Sequence, residues 1–150
     1  RDAQESRGLG DVYKRQNNPY NVGPGHPGIH ALSLSTGEIL WRKDLSNQCE
    51  ESRYLCWHGI SAAVSSAEDL VFAGGLDGIL RAFDPESGDI LWQTATLQSF
   101  GMPNGVEARG GAIEADGPVL VGGEVFVTSG YDKWNEAPGN VLLVYSVNGQ

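Results

Sequence analysis

The feature that most constrains the fold of this chain is an internal repeat. The segment 31–41 (ALSLSTGEILW) matches the segment 82–92 (AFDPESGDILW), an offset of 51 residues between Trp41 and Trp92. Ala, Gly, Ile, Leu and Trp recur in identical places, and a weaker third copy begins at Val141. A repeat of roughly 20–50 residues indicates stacked supersecondary units, each of which buries its apolar face against its neighbours.

One complete repeat predicts four short strands joined by tight turns, at 60–65, 70–73, 79–83 and 90–94. Asp77-Gly78 and Ser87-Gly88 are hairpin turn signals, and no long stretch has the 3.6-residue apolar period of a helix. Four antiparallel strands per repeat are typical of a propeller blade. The sequence therefore predicts an all-β chain, a partial β-propeller of about two and a half four-stranded blades.

The Trp that ends both complete copies has a physical role in this prediction. A single twisted sheet cannot bury both of its faces. A large aromatic side chain on the outer strand can lie across the next blade and bury roughly 150–250 Å², and the Gly four residues earlier allows the close approach. The spacing of Ala, Asp or Ser, Thr or Ser, Gly and Trp resembles the tryptophan-docking motif of quinoprotein propellers.

The first sixteen residues are expected to lie outside the fold. The codons of Asp11 to Gln16 can read GAT GTG TAT AAG AGA CAG, which resembles the transposase end of a sequencing adapter. We therefore expect residues 1–16 to be translated adapter sequence without order. Residues 17–150 are expected to form an incomplete propeller, with blade pieces at about 17–56, 57–107 and 108–150.

Charge and hydropathy argue against a nucleic-acid partner and against a membrane-spanning segment. The net charge of −9 argues against nucleic acid, whose phosphates require Lys and Arg. No apolar run approaches the roughly 18 residues of a membrane span. We therefore expect no nucleic-acid partner and no membrane-spanning segment.

Three segments of the chain resemble the polyvinyl-alcohol dehydrogenases: GISAAV at 59–64, VFAGGLDG at 71–78 and NGVEARGGAI at 104–113. The resemblance implies the C-terminal part of a periplasmic quinoprotein that oxidises secondary alcohols. It also implies pyrroloquinoline quinone and Ca²⁺ as cofactors and cytochrome c as the electron acceptor. The chain has no Cys-x-x-Cys-His haem motif, and no residue matches the catalytic Asp or the metal ligands, so this part is expected to be inactive alone.

Five residues are candidates for contact with the quinone: Arg109, Asn104, Trp57, His58 and Gly110. Arg109 is the sharpest, because a guanidinium binds carboxylates and carbonyls well, and it is expected at the start of an innermost strand. An ion pair with an acidic side chain is the alternative for Arg109. Trp57 could stack on a planar quinone, or it could pack on the loop between Cys49 and Cys56.

Cys49 and Cys56 flank a polar loop, and they lack the partners of a zinc site. They could form a disulfide that closes a small loop, or remain as two free thiols. A second function also stays open: a non-catalytic propeller of the same repeat type that serves as an outer-membrane assembly scaffold and binds other proteins. An Arg in the run at 104–113 favours the enzyme.

Overall fold

The computed structural model describes residues 27–49, 55–67, 69–102, 105–114, 116–130, 132 and 135–147. The expected adapter sequence at 1–16 lies outside these residues. The described part of the chain contains strands and no helix, which confirms the all-β prediction. The strands are β1 (Gly28–Leu32), β2 (Ile39–Asp44), β3 (Ser65–Ala67), β4 (Leu70–Gly74), β5 (Ile79–Phe83), β6 (Ile90–Ala95), β7 (Ser99–Gly101), β8 (Glu107–Arg109), β9 (Val119–Val121), β10 (Glu124–Ser129) and β11 (Val141–Ser146).

The strands form small antiparallel sheets that follow the order of the chain. The first sheet is the pair β1-β2, the second has the order β3-β4-β5-β6, and the third has the order β11-β10-β9. A separate hairpin, β7-β8, lies in the connection between the second and third sheets. The second sheet is the four-stranded unit predicted for one complete repeat.

The sequence repeat is also a repeat of strand register. Ala31 pairs with Trp41 in the first sheet, and Ala82 pairs with Trp92 in the second. In both sheets the register shifts directly after this Ala. The equal irregularity shows that the two copies fold in the same way, down to the residue at which each ladder is disturbed.

Trp41 makes one of the contacts between the first and second sheets. Its indole Nε1–H donates to the carbonyl of Pro85 at 2.9 Å. A Cβ placed on Gly88 would lie 2.5 Å from the ring, so the ring rests directly on the Gly88 backbone. Gly88 has a φ of +74°, a conformation that glycine adopts without strain. The turn of one copy is thus covered by the Trp of the preceding copy.

The turn beneath Trp41 is held by Asp84. Its carboxylate accepts the backbone N–H groups of Glu86 at 2.7 Å and Ser87 at 2.9 Å. These bonds, that from Ser87 most of all, lower the pKa of Asp84. Asp84 therefore caps its own turn, whereas Asp89 pairs with Lys43 across the first two sheets at 3.1 Å.

The apolar side chains form two clusters, one on each side of the second sheet. One cluster lies toward the first sheet and comprises Ile29, Ile60, Val71, Ala73 and Phe83. The other lies toward the third sheet and comprises Phe72, Leu80, Ala82, Ile113, Val125 and Val127. Successive residues of β4 and β5 alternate between the clusters, because successive side chains of a strand point to opposite faces. The second sheet is therefore buried on both faces.

The first strand of the repeat differs from its prediction. It was expected at 60–65, but β3 comprises Ser65–Ala67. Ile60 is buried between sheets, and the N–H of Leu76 donates a single bond to the Gly59 carbonyl at 2.9 Å. Isolated bonds of this kind replace a regular ladder over 59–64, so these residues pack as a strand would without pairing as one.

No helix in the described part of the chain has the length and hydropathy that a membrane crossing requires.

Candidate functional site

Four connecting segments meet at one end of the second and third sheets. Neighbouring strands are antiparallel, so the start of β3, the end of β4, the start of β5 and the end of β6 share one end of the sheet. The connections at that end are 45–64, 75–78, 96–118 and 130–140, each in its described parts. We call this region the loop end, and the four described candidates, Trp57, His58, Arg109 and Gly110, belong to it.

Two buried hydroxyl groups join these segments. Thr96 and Ser129 are fully or almost fully buried, and the Ser129 hydroxyl lies 2.8 Å from the Thr96 hydroxyl. The Thr96 hydroxyl also donates to the Gly78 carbonyl at 3.0 Å, and the N–H of Gly111 donates to Ser129 Oγ at 2.9 Å. One hydrogen-bond network thus fixes the turn after β4, the connection after β6 and the end of β10.

Arg109 is the last residue of β8 and is exposed. Its backbone exchanges two bonds with Asn140: the Arg109 N–H donates to Asn140 Oδ1 at 2.9 Å, and the Asn140 N–H donates to the Arg109 carbonyl at 2.8 Å. Arg109 was expected at the start of an innermost strand, but the structure places it at the end of β8 in the hairpin β7-β8. The backbone is fixed while the side chain faces solvent.

Arg109 takes part in none of the ion pairs among the described residues. Arg42 pairs with Asp44, Lys43 with Asp89, and Arg81 with Asp77. Among the Lys and Arg residues that the structure describes, Arg109 is therefore the one outside these pairs. The ion pair considered as its alternative role is not found within the described part of the chain.

Trp57 lies beside the disulfide and contacts the connection between β10 and β11. Cys49 and Cys56 are bonded, with their Cα atoms 5.6 Å apart, so of the two alternatives left open for them the disulfide is the one that the structure contains. The Trp57 indole N–H donates to the Asn135 carbonyl at 3.0 Å. Trp57 thus reaches the segment 135–140, whose other end holds the backbone of Arg109.

The other three candidates differ in what the structure says of them. His58 is partly buried next to Trp57. Gly110 is buried, its N–H donates to the Gln98 carbonyl at 2.9 Å, and a Cβ there would collide with the carbonyl of Thr96. Close packing is thus a sufficient reason for glycine at this position. Asn104 lies outside the described residues.

A buried ion pair at the loop end was missed by the sequence analysis. Arg81 Nη2 lies 2.6 Å from Asp77 Oδ2, and both side chains are at most 3% exposed. Asp77 also accepts the N–H of Ile79 at 3.1 Å, so it caps its own turn and pairs with Arg81. The available signal was an Arg in an otherwise apolar strand, four residues after an Asp.

Among the described residues, no group of three or more His, Cys, Asp or Glu side chains is arranged to hold a metal ion. Within its described parts, the loop end thus contains one exposed guanidinium on a fixed backbone, one indole beside a disulfide, and the buried hydrogen-bond network of Thr96 and Ser129. A guanidinium and an indole are each suited to contact with a planar ligand that carries negative charge.

Fold and repeat together define a β-propeller repeat protein. Residues 16–109 match the family model described as outer membrane protein assembly factor BamB, so the chain belongs to this family of PQQ-type propeller repeats. The crystal structure of BamB from Moraxella catarrhalis superposes with a TM-score of 0.55 at 17% identity, over 84% of this chain and 34% of that one. This likeness concerns the fold.

Two dehydrogenases are similar in sequence. A polyvinylalcohol dehydrogenase of Sphingopyxis sp. (strain 113P3) is 34% identical over 138 residues, which are 84% of this chain and 21% of the relative. A 1-butanol dehydrogenase (cytochrome c) of Thauera butanivorans is 30% identical over 103 residues, 69% of this chain and 15% of the relative. The chain thus spans about a fifth of the length of the first of these relatives. The family expected from the segments at 59–64, 71–78 and 104–113 is confirmed.

Proposed function

We propose that this chain contributes propeller blades and quinone-contacting loops to a periplasmic alcohol dehydrogenase that depends on pyrroloquinoline quinone and Ca²⁺. The substrate is a secondary alcohol of the polyvinyl-alcohol type, and cytochrome c is the electron acceptor. The similarity to polyvinylalcohol dehydrogenase over 84% of the chain supports the substrate class. The contact of Trp41 with Gly88 supports its assignment to a tryptophan-docking motif.

The observation that carries the proposal is the state of Arg109. Its backbone is held on both sides by Asn140, and no carboxylate of the described residues pairs with it. A guanidinium with no ion-pair partner among the described residues is open to an added anion, and the fixed backbone removes the main-chain part of the ordering cost. In a chain of net charge −9, where acidic partners are abundant, this points to a ligand as the partner.

The residues of the loop end fit the quinone in their chemistry. The Arg109 guanidinium suits the carboxylates and carbonyls of the quinone, and the indole of Trp57 suits its ring. When bound, the quinone accepts the two electrons removed from the alcohol. The chain's own residues position it: Arg109 holds its anionic edge, and Trp57, fixed through Asn135 and the adjoining disulfide, covers a face. His58, Gly110 and Asn104 complete the proposed contacts.

The experiment compares two Arg variants in the complete polypeptide that carries this segment, loaded with quinone and Ca²⁺. Arg109→Ala is expected to raise the dissociation constant of the quinone about 10- to 100-fold, the loss of one or two charge-assisted hydrogen bonds. Arg42→Ala is the matched control, because Arg42 is exposed and already pairs with Asp44 in β2. Equal affinities of the two variants would contradict the proposed contact.

Activity is measured in the same preparation. Dye reduction with polyvinyl alcohol and with simple secondary alcohols is expected to depend on added quinone and Ca²⁺. Arg109→Lys keeps the charge but loses the two-pronged geometry, so it is expected to recover only part of the affinity.

The match of residues 16–109 to the BamB model supports one second candidate, a non-catalytic scaffold that binds proteins in outer-membrane assembly. An intact, folded protein that neither binds the quinone nor turns over alcohol would favour the scaffold. Quinone-dependent turnover would exclude it as the main function.

A further inference from the structure

The buried hydroxyl of Thr96 stands where the preceding copy of the repeat has an apolar side chain. The N–H of Leu45 donates to the Pro27 carbonyl at 2.8 Å, and the N–H of Thr96 donates to the Gly78 carbonyl at 2.7 Å. Both pairs are related by the repeat offset of 51 residues, so Leu45 and Thr96 hold the same position. Leu45 packs against the apolar cluster between the first and second sheets. The repeat therefore folds without a hydroxyl at this position.

The hydroxyl of Ser129 is likewise absent from the equivalent place in the second sheet. Strands β4 and β10 are equivalent, because each lies between an inner strand and the next strand, and Val-Phe recurs at 71–72 and 125–126. Three residues after the Phe, β10 ends in Ser129, whereas the second sheet has Gly75 at that point. Both hydroxyls are thus particular to the boundary between the second and third sheets.

The two hydroxyls link three segments of the loop end by hydrogen bonds that run in one direction. The Gly111 N–H donates to Ser129 Oγ at 2.9 Å, the Ser129 hydroxyl donates to Thr96 Oγ1 at 2.8 Å, and the Thr96 hydroxyl donates to the Gly78 carbonyl at 3.0 Å. The Gly111 carbonyl also lies 2.9 Å from Ser129 Oγ. Each hydroxyl both accepts and donates, so its position is fixed from two sides.

Stability alone does not account for a polar network at this boundary. Hydrogen bonding of a buried hydroxyl little more than offsets its desolvation, whereas an apolar side chain such as Leu45 stabilises a boundary between sheets by its burial. A buried network does define one arrangement of the backbone, because any other arrangement leaves a polar group without a partner. The arrangement that it defines here is that of Gly111, two residues after Arg109.

Arg109 is joined to this network through Gly110. The N–H of Gly110 donates to the carbonyl of Gln98, two residues after Thr96, at 2.9 Å. A Cβ on Gly110 would collide with the Thr96 carbonyl and would lie 3.0 Å from Ser129 Oγ. The backbone that directly follows Arg109 is therefore packed against the two residues that carry the hydroxyls.

We propose that Thr96 and Ser129 are positioning residues for Arg109: their hydroxyls set the course of the backbone at 109–111 and thereby the place of the guanidinium. The inference rests on the contact between Arg109 and the quinone proposed above. It assigns part of the affinity to two buried residues that do not touch the ligand. Because they act through Arg109, their effect on affinity disappears when Arg109 is replaced.

The test is a double-mutant cycle in the complete polypeptide, with the dissociation constant of the quinone measured by calorimetry in the presence of Ca²⁺. Thr96→Val keeps the volume but loses the hydroxyl, and it is expected to raise the dissociation constant about three- to tenfold. Thr96→Ser keeps the hydroxyl and is expected to stay within about twofold of the unsubstituted protein. In an Arg109→Ala background, Thr96→Val is expected to change the constant by less than about twofold.

Ser65→Ala is the matched control for a merely structural effect. The Ser65 hydroxyl donates to the Pro118 carbonyl, so it also joins the second and third sheets, but from the inner strand β3. Its loss is expected to lower the free energy of unfolding about as much as Thr96→Val does, since each variant removes one hydroxyl bond. The dissociation constant of the quinone is expected to stay unchanged.

A second variant gives a measurement that needs no ligand. Ser129→Ala removes the acceptor of the Gly111 N–H. Amide hydrogen exchange at Gly111 is therefore expected to become about tenfold faster or more in the protein without quinone. If Thr96→Val does not fold, the same cycle with Ser129→Ala decides.

The outcomes separate this inference from the proposed function. If Arg109→Ala weakens binding and Thr96→Val does not, the positioning role is overturned and the proposed contact stands. If Arg109→Ala leaves the affinity unchanged, the contact fails and the inference fails with it. If the effect of Thr96→Val persists without Arg109, or if Ser65→Ala weakens binding equally, the hydroxyls have a structural role alone.

Discussion

Two glycines at equivalent repeat positions permit a matched test of the contact between sheets. Gly37 and Gly88 both have a φ of +74°. A Cβ on Gly37 has no neighbour within 4 Å, whereas a Cβ on Gly88 would lie 2.5 Å from the ring of Trp41. Substitution by Ala therefore imposes the same backbone strain at both positions and adds a collision only at Gly88.

The magnitudes follow from these two contributions. Left-handed backbone costs an alanine about 1–2 kcal/mol, which is the whole expected loss for Gly37→Ala. Gly88→Ala must also displace Trp41. Re-exposure of roughly 100 Å² of the indole costs about 2.5 kcal/mol, and loss of its hydrogen bond to Pro85 costs about 1 kcal/mol. Partial accommodation leaves an expected extra loss of about 1–3 kcal/mol at Gly88.

Urea unfolding followed by circular dichroism measures the difference. The reasoning also predicts non-additivity: in a Trp41→Ala background, Gly88→Ala is expected to cost no more than Gly37→Ala, because the ring is gone. Equal losses for the two glycine variants in the unsubstituted chain would refute the idea that Trp41 is held by a side-chain-free turn. An extra loss that persists without Trp41 would assign the effect to the backbone of the second copy.

Three further predictions concern other parts of the chain. Asp77→Ala leaves the buried Arg81 guanidinium without its partner and is expected to lower the free energy of unfolding by about 3–5 kcal/mol, as measured by urea titration. The control is Asp44→Ala, which removes an exposed ion pair and is expected to cost at most about 1 kcal/mol in the same titration. The NMR titration of Asp84 is expected to have its midpoint below that of an unstructured Asp, because backbone N–H groups bind the ionised carboxylate. The contribution of Asp84 to the free energy of unfolding is therefore fully present above the ordinary carboxyl pKa, and it is lost as the pH falls through the lowered pKa. Reduction of the disulfide at Cys49 is expected to cost about 2–3 kcal/mol in unfolding free energy, and no loss on reduction would contradict the loop-closure estimate.

The sequence predicted those elements of the fold whose signal is local. The Ile-Leu-Trp strands and the turns before them are contiguous in the chain, and the structure pairs Ala31 with Trp41 exactly as it pairs Ala82 with Trp92. The disulfide could be considered from the sequence for the same reason, because only a short loop separates the two cysteines. Strand type and strand pairing in such hairpins need no information from distant residues.

Other elements were missed because their signal is not local. Strand β5 itself was predicted, but because the second sheet is buried on both faces, β5 lacks the alternation of apolar and polar residues that would show which face is buried. Arg81 could then be placed in the core only through its pair with Asp77. The hairpin β7-β8 joins Phe100 to Ala108 through a sequence with few β-branched residues, and it was not predicted.

The loop end depends on contacts that no spacing in the sequence encodes. Trp57 meets Asn135 across 78 positions, and Arg109 meets Asn140 across 31. Both contacts exist because the second and third sheets pack face to face and thereby bring their connections together. Residue chemistry was enough to select Arg109 as a candidate, since an Arg is conspicuous in an acidic chain. Its fixed backbone and its separation from the ion pairs of the described residues follow only from the packing of the sheets, and these two properties support the ligand contact that we propose for it.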